Sequence, residues 1–282
     1  MSASSQPHKR SRWRLEGRAL VGVPMVLLFL FLALVGPWLA PYAPRAIDLA
    51  HELEGPSLRH WLGTADNGVD VLSVLLTGAR TAGLVGVSTV LISFVLGSAL
   101  GSISGYAGGR TDLILARVTD AVAAMPSLVI NVALLALIAR PGFGHMIAAL
   151  SATGWVTYAR VSRAEVLRLR EREFVTAARA LGASPSRVLL LHVLPNAMGP
   201  LIVQATFGLG GAVLAEASLS FLGLGPGAGA SWGALLDQGT AYLLRAPRLA
   251  MIAGVAIAMT VLGFNLTGDW LRDALDPKES SD

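Results

Sequence analysis

The chain contains no cysteine and has few charged residues for its length. Without cysteine it forms neither a disulfide nor a thiolate metal site. Asp, Glu, Lys and Arg make up 14% of the 282 residues, against about 25% in soluble domains. Hydrophobic residues account for 54%, and the mean hydropathy is +0.61. This composition predicts a protein embedded in a lipid membrane.

Motifs for nucleotide binding and hydrolysis are also missing from the sequence. Lys9 and Lys278 are the only lysines and neither follows a glycine, so a P-loop is excluded and the chain is not itself an ATPase. There is no HExxH motif, and no Ser/His or paired-carboxylate arrangement indicates hydrolysis. The five histidines are scattered, which argues against a metal centre. We predict no catalytic residue, no metal site and no cofactor bound by this chain.

Six segments without Asp, Glu, Lys or Arg divide the chain. A membrane-spanning helix needs about 20 mostly apolar residues. The sequence therefore predicts an all-α membrane protein with six transmembrane helices, at residues 19–44, 81–109, 121–139, 141–159, 188–215 and 249–268. With the N-terminus inside, sixteen of the 22 Lys and Arg residues are cytoplasmic and six are external. Because basic residues favour the cytoplasmic side, an N-in, C-in topology is predicted.

The second predicted span is rich in small residues. Gly97, Gly101 and Gly105 follow one another at intervals of four, the spacing that lets helices pack backbone to backbone in lipid. We predict a close helix contact along this face.

A basic loop at residues 160–195 separates the fourth and fifth predicted spans and holds seven arginines. Its pattern is typical of two short helices. Phe174, Ala177 and Leu181 recur at helical spacing, and a glycine then suits a left-handed helix end. A Ser-Pro step at 184–185 can begin a second helix, and Pro195 is expected to end or kink it.

This loop resembles the EAA loop of ABC-importer permeases. The matching residues are Thr176-Ala177-Ala178, then Gly182 and, after a fixed gap, Leu194-Pro195. Further segments resemble the C-type subunit of the dipeptide, oligopeptide and nickel branch: HWLGTADNGVDVLSVLLTGAR (60–80), HVLPN (192–196), SFLGLG (220–225), SWG (231–233) and GDWLRDALDP (268–277). The likeness covers roughly residues 60 to 277. Two positions depart from the family pattern: Thr176 replaces the usual Glu, and Gly68-Val69-Asp70 lacks the usual Arg.

Charge and hydropathy divide the chain into a basic cytoplasmic N-terminus (1–18), a first anchor helix and its exit (19–44), an external loop (45–80), a core (81–268) and a cytoplasmic C-terminus (269–282). The resemblance implies that the core is a permease domain, and it implies a set of partners. The partners would be a second homologous permease, two ATPases that bind ATP and Mg, and an extracytoplasmic substrate-binding protein, all at the inner membrane; no nucleic acid is implied. A cleaved signal peptide is a weaker interpretation of the N-terminus than a retained anchor. The external loop is either a packed cap or a contact for the binding protein.

The resemblance further implies that the loop docks into a separate ATPase. Carried over position by position, the candidate coupling residues are Glu173, Phe174, Thr176, Ala177, Ala178, Arg179, Leu181, Gly182, Ala183, His192, Leu194 and Pro195. The small residues before Gly182 are expected to let another backbone approach closely.

Polar residues within the spans are candidates for the translocation path, because polar groups in lipid usually face the bundle interior or water. They are Pro126, Ser127, Asn131, Gln204 and Glu216. The first three are equally explained by a proline kink with one interhelical hydrogen bond. Glu216 must be paired, protonated or close to the surface, and its position beside Ser218 and Ser220 favours the surface. Trp232, in the following external hairpin, is expected at the level of the lipid headgroups.

Together these features predict the permease subunit of an ATP-driven importer for peptides or similar small solutes. Two other classes remain open: an ion-coupled secondary transporter or channel acting without an ATPase, and a non-transporting scaffold. The sequence offers few intramembrane ionisable residues for the former, and the latter leaves the two-helix loop unexplained.

Overall fold

A computed structural model describes residues 8–227 and 230–275 of the chain. The predicted terminal segments 1–18 and 269–282 therefore lie partly outside the described residues. Within these ranges the fold is helical, with one isolated bridge, between Thr64 and Asp70, as the only β-type pairing. The α-helices are α1 (His8–Leu39), α2 (Val71–Ala107), α3 (Gly109–Ala123), α4 (Ser127–Ala136), α5 (Phe143–Leu169), α6 (Glu173–Ala180), α7 (Pro185–Val188), α8 (Leu194–Phe221), α9 (Trp232–Ala241) and α10 (Pro247–Leu275).

Four helical segments of the described chain are long and apolar enough to cross a membrane: 17–39, 71–107, 185–221 and 247–275. The α3–α4 pair, which bends by 76° at a short break, raises the number to five if it is one broken span. The segment predicted at 141–159 is not among them. It forms the first part of α5, where glycine, serine and threonine lower the hydropathy, and arginines follow in the same helix.

The chain forms two compact units, and the first comprises the residues up to Leu84 and from Leu209 onward. Its core is centred on Phe29, whose ring meets Trp232 edge-on at 6.0 Å and Phe264 at 5.6 Å between centroids. Trp232 is buried, and its indole N–H donates to the carbonyl of Leu75 at 2.8 Å. Trp232 therefore does not contact lipid headgroups as predicted, because its ring fills the helix core.

The segment between α1 and α2 packs against the start of α10 and against α9 in the same unit. The carboxylate of Asp70 accepts hydrogen bonds from the Ser73 backbone N–H at 2.8 Å and from the His60 ring at 2.9 Å. Asp70 thus caps α2. The helix begins at Val71, earlier than the predicted start at residue 81. Val69, in place of the family's Arg, packs against an apolar cluster.

α10 continues without interruption to Leu275, so residue 269 is not a helix boundary. Its last turns lie beside the beginning of α1, where Arg18 pairs with Asp273 at 3.1 Å. Similarly, α1 ends at Leu39, before the predicted limit at residue 44.

The second unit, Val85–Gly208, contains the close helix contact expected from the glycine spacing. A Cβ at Gly101 would collide with the carbonyl of Ala159 on α5, and one at Gly105 would lie 2.8 Å from the carbonyl of Arg163. Gly97 is equally close to the backbone of the same helix. The predicted backbone-to-backbone packing of α2 is confirmed, and its partner is α5.

Candidate coupling site

The loop at residues 160–195, called the coupling loop below, begins as the last turns of α5 and continues into the short helix α6. Arg172 precedes α6 in an extended conformation, and Glu173 places a carboxylate in its first turn, where the helix dipole favours negative charge. Val175 and Ala178 are the buried residues of α6. The helix therefore has one inward apolar edge and is otherwise accessible within this chain.

Gly182 ends α6 in the left-handed conformation, with φ of +81°. The Gly182 N–H donates to the Arg179 carbonyl at 2.9 Å, and the Ala183 N–H donates to the Ala178 carbonyl at 3.1 Å. This pair of bonds is a Schellman motif, which a residue without a side chain accommodates without strain. No atom lies within 4 Å of the position that a Cβ would occupy. The predicted glycine helix end is confirmed.

The second helix begins as the sequence predicts, but it does not end at Pro195. The Ser184 hydroxyl accepts from the Arg187 N–H at 3.4 Å, and Pro185 occupies the first helical turn. From there α7 passes through a π-helical segment, Leu189–Val193, directly into α8. The Leu194 N–H donates to the Leu189 carbonyl. The wider turn accommodates the missing N–H of Pro195, so the predicted short helix is instead the start of a long one.

A buried apolar cluster holds the coupling loop to its neighbouring helices. It joins α5, α6, α7 and α8 and consists of Val166, Leu169, Val175, Ala178, Val188, Val193 and Ala197. Ala178 was predicted to belong to the small face open to a partner. It is only 8% exposed, because it lies on the inner edge of α6.

The outer face of the loop carries large apolar groups in solvent. Leu181 is 89% exposed and Phe174 is 41% exposed. The remaining candidates divide between exposed positions and half-buried ones: Glu173, Thr176, Ala177, Arg179, Gly182 and Pro195 are exposed, whereas Ala183, His192 and Leu194 are half-buried. Exposed apolar groups beside an unobstructed backbone form a surface suited to a protein partner.

Two arginines connect the coupling loop to the end of α2. Arg170 donates to the Gly105 carbonyl at 2.9 Å, and the guanidinium of Arg179 lies over the ring of Tyr106. Tyr106 is not among the residues predicted for the site.

Two further arginines connect the loop to α3. Arg163 forms a two-pronged ion pair with Asp112, and Arg160 pairs with Asp120 at 3.0 Å. Ser104 also donates to Asp112, at 2.6 Å. Neither aspartate is among the residues predicted for the site. The available signal was two aspartates in the short segment between the second and third predicted spans, together with arginines spaced by three on α5.

The path candidates on α4 lie at the bend between α3 and α4. Pro126 and Ser127 are exposed there, and Asn131 is buried and accepts from the Thr153 hydroxyl at 3.3 Å. Both the kink and its interhelical hydrogen bond are thus present. A cavity of about 470 Å³ occupies this bend, lined by Ala121, Val122, Met125, Ile130, Ala133, Leu134, Leu137, Ala152 and Thr153. Gln204, on α8, is half-buried.

Glu216 lies in the other unit and is fully buried, so the predicted surface position is wrong. Its Oε1 accepts from the hydroxyls of Ser220 at 2.8 Å and Ser231 at 2.9 Å. Ser231 in turn caps α9 by accepting from the Gly233 N–H at 3.1 Å. The carboxylate thereby links α8 to the start of α9.

The described chain thus combines long apolar helices with a coupling loop that is anchored on one face and exposed on the other. Residues 97–281 match the family model of the binding-protein-dependent transport system inner membrane component. Residues 12–56 match the N-terminal TM domain of oligopeptide transport permease C. The chain belongs to this family of inner-membrane components.

Relatives of known name support the same class. The chain is 41% identical over 269 residues to the oligopeptide transport system permease protein OppC of Bacillus subtilis (strain 168), covering 95% of this chain and 88% of the relative. It is 38% identical over 287 residues to the probable D,D-dipeptide transport system permease protein DdpC of Escherichia coli (strain K12), covering 98% and 96%. The chain is a permease subunit of an ABC importer, in which ATP hydrolysis belongs to a separate subunit.

The fold matches a solved transporter as well. A chain from inward facing conformations of the MetNI methionine ABC transporter superposes with a TM-score of 0.60 at 19% sequence identity, covering 72% of this chain and 96% of that chain. At this identity the likeness concerns the fold alone.

Proposed function

We propose that this chain forms half of a translocation pathway for peptides or similar small solutes. The pathway is completed by a second homologous permease. Two ATPase subunits, which hold ATP and Mg, and an extracytoplasmic substrate-binding protein complete the importer. The named relatives that carry dipeptides, oligopeptides or D,D-dipeptides support the substrate class.

The chain crosses the membrane six times in this proposal, with both termini in the cytoplasm. The distribution of basic residues supports the orientation. The bent α3–α4 pair and α5 then provide the third and fourth spans, in addition to the four apolar helices. Pro126, Ser127 and Asn131, which lie at the bend, contribute to the pathway, as does Gln204 on α8. Glu216 is fully buried and contributes by linking α8 to the start of α9.

The coupling loop docks into a cleft of the ATPase through the exposed residues around Gly182. The observation that carries this proposal is the contrast between the two faces of α6. Val175 is fully buried in the apolar cluster, while Leu181 is 89% exposed next to a glycine with open space around it. Closure of the ATPase pair on ATP then moves the loop. Such a shift requires that the ATP-bound pair bind one permease state more tightly than the other.

Co-purification tests the docking. Gly182→Asp fills the open space at the docking face and should abolish recovery of the ATPase with the permease. Gly223→Asp is the matched control, because Gly223 also has a positive φ, +77°, with no atom within 4 Å, and lies outside the loop. It should retain the ATPase. Equal recovery from both variants would contradict the docking site.

The substrate is best identified on the binding protein, since ligand binding raises apparent stability by mass action. Small peptides should raise its unfolding temperature. A response to metal chelates without any response to peptides would contradict the proposed substrate class.

A further inference from the structure

The coupling loop is joined to α3 by a contact with the geometry of a rigid linkage. Arg163 Nε lies 2.5 Å from Asp112 Oδ1, and Arg163 Nη2 lies 2.7 Å from Asp112 Oδ2. A two-pronged arginine–carboxylate pair fixes orientation as well as distance. The two residues are 51 positions apart in sequence, so the pair connects separate helices.

A third helix takes part in the same contact. The Ser104 hydroxyl, near the end of α2, donates to Asp112 Oδ1 at 2.6 Å. Next to it, the Gly105 carbonyl accepts from Arg170. The carboxylate of Asp112 is therefore held from both sides, by α2 and by α5.

The neighbouring ion pair provides a contrast. The side chains of Arg160 and Asp120 are 53% and 63% exposed, whereas those of Arg163 and Asp112 are 38% and 21% exposed. Exposed single pairs contribute little because water screens the charges and the side chains lose freedom. The pair formed by Asp112 is better shielded and has an additional hydrogen-bond donor. It is the stronger connection of the two.

α3 leads directly from this contact to the bend of the broken helix. Asp112 lies in the first turn of α3, and the helix ends at Ala123, just before Pro126. The cavity at the bend is lined by residues of α3, α4 and α5. α3 therefore connects the Asp112–Arg163 contact directly to one wall of that cavity.

We propose that the Asp112–Arg163 pair, supported by Ser104, transmits movement of the coupling loop to α3 and changes the bend between α3 and α4. Asp112 and Arg163 are positioning residues, since they act through α3 and not on the solute. This inference rests on the proposed function, in which the loop is moved by an ATPase. It adds a defined connection between that movement and the pathway.

The test uses the complete importer, reconstituted in liposomes, with transport and ATP hydrolysis measured together. In Asp112→Asn, ATP hydrolysis should stay within about twofold of the parent complex, while solute transported per ATP falls about tenfold, a usual size for coupling between sites. Asp120→Asn is the matched control on the same helix and should leave the ratio within about twofold. The double variant Asp112→Arg with Arg163→Asp, which exchanges the two charges, should restore most of the solute transported per ATP.

Distances across the bend give a second measurement. The chain has no cysteine, so spin labels at Val118→Cys on α3 and Leu134→Cys on α4, both exposed, need no other change in this chain. The distance between the labels should differ between the nucleotide-free and the vanadate-trapped importer. In Asp112→Asn that difference should disappear. If this variant fails to assemble, Ser104→Ala removes only the supporting hydrogen bond and should reduce the difference in the same direction.

Three results would overturn the inference. The solute transported per ATP is unchanged in Asp112→Asn, it falls equally in Asp120→Asn, or the distance between the spin labels still changes with nucleotide in Asp112→Asn. Failure of the proposed function has a different signature. In that case the unmodified chain neither retains an ATPase nor shows nucleotide-dependent transport.

Discussion

The guanidinium carbon of Arg179 lies 5.4 Å from the centre of the Tyr106 ring, which places a coupling-loop cation over an aromatic face at the end of α2. Arg179 stays a candidate for contact with a partner protein, and within this chain its charge already has a favourable position. The contact adds to the apolar cluster that holds α6 in place.

We predict that Tyr106→Leu loosens α6. At an exposed site a cation–π contact contributes about 0.5–1 kcal/mol, so local opening should become about two- to fivefold more frequent. Hydrogen exchange of the amides at residues 173–180 measures this opening. Tyr106→Phe keeps the ring face and should exchange like the parent chain. Identical exchange in the two variants would show that the ring does not stabilise the helix.

The contact between α2 and α5 leads to a prediction about packing. Gly101→Ala places a methyl group against the Ala159 backbone and should destabilise the protein by about 1–3 kcal/mol. Gly254→Ala lies within α10 with no atom within 4 Å, so it should be neutral or stabilising through its higher helix propensity. Unfolding temperatures of both variants in one detergent provide the comparison. A loss of stability in both would mean that the close approach is not the cause.

The buried carboxylate of Glu216 predicts a second effect on stability. Glu216→Ala leaves the hydroxyls of Ser220 and Ser231 without their acceptor and creates a cavity, which together should cost about 2–5 kcal/mol. Glu216→Gln retains the accepting oxygen and should cost less. Ser218→Ala, whose hydroxyl bonds only to the Leu214 carbonyl in its own helix, is the control. Thermal unfolding should rank the variants as Ser218→Ala, Glu216→Gln and Glu216→Ala, from most to least stable.

The parts of the site that the sequence predicted correctly are those determined by local chemistry. A glycine in the left-handed conformation and a serine cap depend on residues three to five positions away, so the pattern around Gly182 and Ser184 is sufficient. The glycine spacing on α2 predicted the close contact for a similar reason, because this spacing is a property of one face of one helix.

The incorrect predictions concern residues whose partners are distant in sequence. Trp232 is 157 positions from Leu75, to which it donates, and Glu216 is 15 positions from Ser231. Composition cannot indicate that such groups meet in a helix core. Pro195 shows a different difficulty. A proline predicts that the helix is disturbed, but the helix can either end there or form one wider turn. This chain adopts the wider turn.

The orientation of the chain leads to the last prediction. Leu181 and Leu244 are 89% and 100% exposed, so the protein itself does not shield cysteines at these positions. Because the parent chain has no cysteine, each variant carries a single thiol. In cells with an intact membrane, a membrane-impermeant maleimide should label Leu244→Cys and should reach Leu181→Cys only after permeabilisation. The buried Leu219→Cys should remain unlabelled in both conditions. The reverse pattern would place the coupling loop outside, where no ATPase could reach it.

With the complete importer, the ATPase should also slow labelling of Leu181→Cys in permeabilised membranes while leaving Leu244→Cys unaffected, since only Leu181 lies at the proposed docking face.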